Sequence, residues 1–305
     1  MNLSSQDAAL TIFCGKGGVG KTTIALAYAM GIARRSRRVL VVTSHPLAEL
    51  AVSVSLAGMK EQDPAAAAHL FIIHIDPFEL LARRVEQAIP SRPLVQRVLN
   101  SAIYRNLVEV APGLKEISFL GRLHELASRR STGEDKEEFS ELVWDAPATG
   151  HFLQTMKVSR NFEKYLSGPL ALIGKEVGIF FGNPSNLAVI PVTTLERMAV
   201  DETIEMCEKL AGELNARPAA VVVNMASPLI AGPQAASEEF FRWVSGAGAQ
   251  AAHLAFIAER HRIERAQLAR LRSSVDAPVQ FVRRASGWTS DLELLRHVSQ
   301  QLGSL

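Results

Sequence analysis

The chain has 305 residues, 48% hydrophobic and 21% charged, a composition that suits a globular protein with a sizeable core and excludes extended disorder. Its 33 Lys and Arg against 31 Asp and Glu leave a net charge of +2, too even a balance for nucleic acid or an anionic membrane as the main partner. Two cysteines, Cys14 and Cys207, stand far apart; they exclude a disulfide framework and a cysteine metal site, and fit a reducing, cytoplasmic setting.

In chain order the β-rich runs read LTIFC (10–14), RVLVVTS (38–44), LFIIHID (70–76), ELVWDA (141–146), LAVIPVT (187–193), AAVVVN (219–224), AHLAFI (252–257) and PVQFVRR (278–284). Their continuous apolarity suits strands covered on both faces, and helical-period segments separate them. The expectation is one α/β domain over 1–305, with a doubly wound, mostly parallel sheet of about eight strands. Helical elaborations are predicted around 77–138, too long for a simple crossover, and around 152–186. STGEDKEEF, 131–139, is a solvated connector between them.

Several stretches carry two readings. ARRSRR, 33–38, follows a helix and precedes a strand, so its cations serve a helix C-terminus or form a phosphate- or lipid-binding patch. Cys14 lies in an apolar strand, and Cys207 is in phase with Val200, Ile204, Ala211 and Leu214 on a helix, so both read as core. YLSGPLALIGKEVGIFFG, 165–182, is interrupted by Lys175 and Glu176 and is too short to span a bilayer; it packs internally or lines an apolar groove. ERHRIERAQLARLR, 259–272, places Ile263, Leu268 and Leu271 on one side of a surface helix. The C-terminal helix has Leu292, Leu295, Val298 and Leu302 at core spacing, with little positive charge for a membrane anchor. No signal peptide or transmembrane segment is expected, which leaves peripheral membrane association at most.

The chemistry is concentrated in CGKGGVGKTT, 14–23. Gly15, four residues, Gly20, Lys21 and Thr22 match G-x-x-x-x-G-K-[ST], set between a strand and a helix as the mechanism requires. Glycines let consecutive backbone N–H groups converge on phosphate oxygens, and the helix N-terminus adds its positive dipole. Gly15, Gly17, Gly18, Val19, Gly20, Lys21, Thr22 and Thr23 are therefore the predicted ATP cradle. Lys21 would reach the β- and γ-phosphates, and the Thr22 hydroxyl would ligate Mg2+.

Lys16, the earlier lysine of GKGGVGKT, resembles the deviant P-loop ATPases, in which this residue reaches a γ-phosphate across a dimer interface. DAPATGH, 145–151, resembles the switch II signature of the ArsA family, with the proline one place early. HIDPFE near 74, APGLKEI at 111–117 and VVVN at 221–224 extend the resemblance along nearly the whole chain. It implies a dimeric, Mg2+-dependent ATPase in which Asp145 meets the metal through water and Asn224 recognises adenine. FVRRASG, 281–287, resembles the loop that closes over the base.

Switch I departs from the family. Aligning the family's proline with Pro46 puts His45 where the aspartate that positions the attacking water stands. A neutral imidazole accepts a proton near pH 7, but general-base assistance contributes about 10²–10⁴-fold, so a poor replacement predicts weak turnover. The expected catalytic set is Lys16, Lys21, His45 and Asp145, acting in a homodimer or beside an ArsA-like paralogue. The alternative is a non-catalytic, ATP-locked regulatory subunit or scaffold. Cysteines matching the family's metalloid site, or a C-x-x-C zinc clasp, are absent from the sequence; a hydrophobic helix or partner protein is the expected client, docking near 80–130 and 160–185.

Overall fold

A computed structural model of the chain describes residues 8–43, 63–102, 104, 113–128, 139–161, 169–232, 234–246, 254–284, 286–287 and 290–303. Among the described residues seven strands are formed: β1 (Leu10–Gly15), β2 (Val39–Thr43), β3 (Leu70–His74), β4 (Glu141–Ala148), β5 (Leu187–Thr193), β6 (Val221–Ala226) and β7 (Val279–Arg283). The helices are α1 (Lys21–Ala33), α2 (Pro64–His69), α3 (Pro77–Ala88), α4 (Arg92–Leu99), α5 (Leu114–Ser128), α6 (Thr149–Asn161) and α7 (Pro169–Gly182) in the first part of the chain. They continue as α8 (Arg197–Leu214), α9 (Pro228–Ala231), α10 (Gln234–Gly246), α11 (Ala255–Ser274) and α12 (Asp291–Gln301).

Every strand pair is parallel, in the order β3-β2-β4-β1-β5-β6-β7. AHLAFI is the run that departs from the expectation of about eight strands: Ala255, Phe256 and Ile257 open α11 instead. A short apolar run carries no period that separates a strand from a helix start, and here twenty helical residues follow.

Alternation along the strands sends side chains into two layers, as a doubly wound sheet requires. Phe13, Val41, Val143 and Ile190 pack with α1 and α12 on one face. Leu10, Ile12, Cys14, Val42 and Trp144 pack with α5, α6 and α7 on the other. A third cluster joins β6 to α8 and α11 through Val223, Cys207, Leu268 and Leu271. Both cysteines are core: burial pushes the Cys14 thiol well above the usual range and that of Cys207 up to about 12. Ala211 lies on the exposed side of α8, so the buried stripe there is narrower than the sequence phase suggested.

The basic run after α1 is absorbed by the fold. Arg34 donates to Asp63 at 2.7 Å, Arg37 pairs with buried Glu141 at 3.3 Å, and the Arg38 guanidinium stands 4.7 Å from the Phe71 ring centroid. Leu292, Leu295, Val298 and Leu302 are all buried, holding α12 against α1. Ile263, in contrast, is 44% exposed and sits outside the buried face of α11 formed by Leu268 and Leu271. Among the described residues, no helix is long and apolar enough to cross a membrane.

Candidate functional site: a phosphate cradle at the centre of the sheet

β1 lies between β4 and β5, so its carboxyl end opens at the point where connections leave to either side, the usual ligand crevice of such sheets. The chain there turns from Gly15 into α1 through backbone that favours glycine. Gly15, Gly18 and Gly20 have φ of 143°, 84° and 87°. A Cβ on Gly15 would lie 2.2 Å from the Val192 carbonyl oxygen, so β1 approaches β5 as closely as it does because no side chain intervenes. Nothing stands within 4 Å of a Cβ built on Gly17 or Gly18, which leaves the crest of the loop open for a ligand's phosphates.

Lys21 is the first residue of α1 and is 8% exposed. Its ammonium donates to the Lys16 carbonyl at 2.9 Å, bending the side chain back over its own loop. Burial lowers its pKa from the ordinary lysine value, while Asp145 and Cys14 pull it the other way. An anion brought to the loop would favour the charged form further.

Thr22 donates from Oγ1 to Asp145 Oδ2 at 2.7 Å, across 123 positions of sequence. Asp145 is 1% exposed, and β4 continues past it to Ala148, pairing with β1 through Gly15. A hydroxyl and a carboxylate meeting beside an open loop form an all-oxygen donor set of the kind Mg2+ takes. No group of three or more His, Cys, Asp or Glu able to hold a metal is found among the described residues. Mg2+ commonly completes such a set with phosphate oxygens and water.

The remaining predicted residues are placed differently. Asn224 is buried; its Nδ2 donates to the Val19 carbonyl at 2.9 Å and its Oδ1 accepts from Met225 N at 2.9 Å. The amide thus braces the phosphate loop from β6, and a Cβ on Gly20 would come 2.4 Å from its Nδ2. Lys16 points outward and pairs with Glu202 of α8 at 3.0 Å, both partly exposed. Val19 is buried and Thr23 half-buried. His45 and Pro46 lie outside the described residues.

Sequence reasoning missed a groove of about 540 Å³ beyond the ends of β5, β6 and β7, lined by Thr194, Arg197, Met225, Phe256, Ile263 and Arg284 among others. Met225 holds a left-handed φ of 54°, and its Cε would lie 3.9 Å from a Cβ on Gly20, so the groove adjoins the cradle. Arg284 belongs to the stretch expected to close over a base, and its N–H donates to the Ala226 carbonyl at 2.9 Å. Position just past a parallel strand's carboxyl end is the signal that would have found Thr194.

Comparison with known proteins agrees with this geometry. Residues 9–180, more than half of the chain, match the ArsA_ATPase family, described as anion-transporting ATPase. ATPase BagA of Mycobacterium tuberculosis is 27% identical over 243 residues, 74% of this chain and 67% of that protein. The arsenical pump-driving ATPase of Acidiphilium multivorum is 24% identical over 232 residues, 71% of this chain and 39% of that protein. ATPase GET3 of Rhodotorula glutinis is 27% identical over 218 residues, 71% of this chain and 59% of that protein. With a phosphate loop opening a helix at the centre of an all-parallel sheet, and with that match spanning β1 to α7, the chain belongs to the ArsA family of anion-transporting ATPases.

Proposed function

We propose that the chain binds Mg2+·ATP and uses it to switch between open and closed arrangements of a dimer, with weak hydrolysis when it acts alone. The observation that carries this reading is the part-buried Thr22–Asp145 contact, which ties the phosphate loop directly to the segment DAPATGH. Lys21 would leave the Lys16 carbonyl for the β- and γ-phosphates, and the open N–H groups of Gly17 and Gly18 would hold their oxygens. Mg2+, held by the Thr22 hydroxyl and by Asp145 through water, would neutralise charge on the transferred phosphoryl group. Ordering of residues 145–151 by the nucleotide would carry its state to α6, which begins at Thr149.

Lys16 would serve the second subunit, a copy of this chain or an ArsA-like paralogue, after releasing Glu202. Asn224 would contact adenine through what hydrogen-bonding capacity its bracing role leaves, and the groove of Thr194, Met225 and Arg284 would take the base. The client surface fits the helices α3, α4 and α7, where Phe78, Leu94 and Ile179 are 47%, 49% and 65% exposed. That pattern suits a hydrophobic helix or partner protein.

His45 favours the second reading, a nucleotide-locked regulatory subunit, because it stands where the family has its water-positioning aspartate. Phosphate release by the wild-type chain and by His45→Asp separates the two. Hydrolysis restored about 10²-fold or more in the variant supports a damaged but working ATPase. Rapid turnover by the wild-type chain alone overturns the weak-hydrolysis reading, and silence from both variants assigns the regulatory role.

A further inference from the structure

β6 changes its pairing where it passes the phosphate loop. Val223 is opposite Phe281 and Ala226 is opposite Arg283, so Asn224 and Met225 together span the single step that Val282 makes on β7. Two residues against one form a β-bulge, a device that bends a strand and re-aims a side chain, often beside a functional site. Met225 takes the strain, because its φ of 54° lies in the left-handed region that favours glycine. Pairing resumes at once, with the Arg284 N–H donating to the Ala226 carbonyl at 2.9 Å. The distortion is thus local, and an unfavourable backbone is kept where β6 meets the loop.

What the bulge aims is the Asn224 amide. Its Oδ1 accepts from the Met225 N–H at 2.9 Å, which fixes the plane of the amide. Its Nδ2 then donates to the Val19 carbonyl at 2.9 Å and stands where a Cβ on Gly20 would come within 2.4 Å. Val19 and Gly20 are the last two residues before Lys21 opens α1, and the Gly20 carbonyl accepts the first helical bond, from the Ile24 N–H at 3.0 Å. Asn224 itself is 6% exposed, and among the described residues the wall of the neighbouring groove is supplied by Met225 and not by Asn224. An amide so enclosed acts first on the loop it touches.

We propose that Asn224 is a positioning residue for the phosphate grip: the bulge presents its amide to Val19 and Gly20 and so sets the exit of the loop and the start of α1. Its loss then weakens the hold on a triphosphate whether or not a base is attached, because a ligand must order donors that are no longer held in place. This role, which rests on the Mg2+·ATP reading above, goes beyond the base recognition that the resemblance implies for the same residue. Mg2+·ATP and Mg2+·tripolyphosphate, each titrated calorimetrically into the full-length chain, separate the two roles. Asn224→Ala should weaken both by a similar factor, about tenfold, the value of one buried hydrogen bond. Asn224→Ser carries the test should the alanine variant fail to fold: its hydroxyl can still accept from the Met225 N–H but is too short to reach Val19, and the same parallel loss is expected. Loss of ATP affinity with tripolyphosphate held as tightly as by the wild type assigns Asn224 to the base and overturns the proposal. Variants that bind both ligands like the wild type also overturn it, since that is the outcome for a residue that only stabilises the fold. A wild-type chain that binds ATP but no tripolyphosphate does so too, whereas one that binds neither removes the nucleotide reading and this role with it.

Discussion

Lys21 and Lys16 belong to one loop, yet the fold treats the inner and the outer wall of that loop in opposite ways. Lys21 is buried, tied to the loop's own carbonyl, and backed by Asp145 and by the Asn224 brace from β6. Lys16 reaches outward to Glu202 on α8 through a partly exposed ion pair, a kind of contact worth about 0–1 kcal/mol. The inner wall is braced from β6, and its buried lysine need leave only a carbonyl of its own loop to meet a ligand, whereas the outer wall is held by one partly exposed ion pair that little free energy can exchange. Such a division suits a loop that must grip its ligand firmly and still lend a lysine elsewhere.

Three changes press on that contrast, in order of size. Gly15→Ala drives a Cβ toward the Val192 carbonyl, so β5 must shift; a loss of about 3 kcal/mol or more is expected in urea unfolding. A loss under about 1 kcal/mol would show the inner wall to be looser than described. Lys21→Met should weaken ATP binding roughly 10- to 150-fold by calorimetry, the value of one charge-assisted bond. The same variant tests the burial of the ammonium. Because the folded-state pKa is lowered, the unfolded chain keeps its proton to higher pH, and stability rises from the folded pKa up to the ordinary lysine value. That alkaline rise should disappear in Lys21→Met. Glu202→Gln is the mildest: stability should change by less than about 1 kcal/mol, while sedimentation with Mg2+·ATP should show dimers strengthened severalfold as Lys16 is freed. Unchanged association would separate the outer lysine from dimer formation.

How far the sequence could be read follows from where its information lies. The cradle was legible because G-x-x-x-x-G-K-[ST] is local, and each residue type has a mechanical reason to be there. Strand positions were legible wherever an apolar run was bounded by turns, as at LTIFC and LAVIPVT. AHLAFI failed because Ala255 to Ile257 are the apolar start of a helix whose remainder is charged. Ile263 looked like a core residue by spacing alone, but only packing reveals that α11 turns it toward the groove. Asn224 shows a deeper limit: its type and place after a strand were readable, but its bond to Val19 spans 205 positions and is created by the order of strands. Thr194, Met225 and Arg284 likewise meet because β5, β6 and β7 are neighbours, a fact no local pattern records.

The two native thiols carry a practical consequence. Cys14 and Cys207 are enclosed in separate hydrophobic clusters and strongly disfavour the thiolate that reacts with maleimides and iodoacetamides. A single engineered cysteine on an exposed helix position can therefore be tagged in the wild-type background, giving fluorescence or spin-label reporters of subunit motion without first stripping sulfur from the interior.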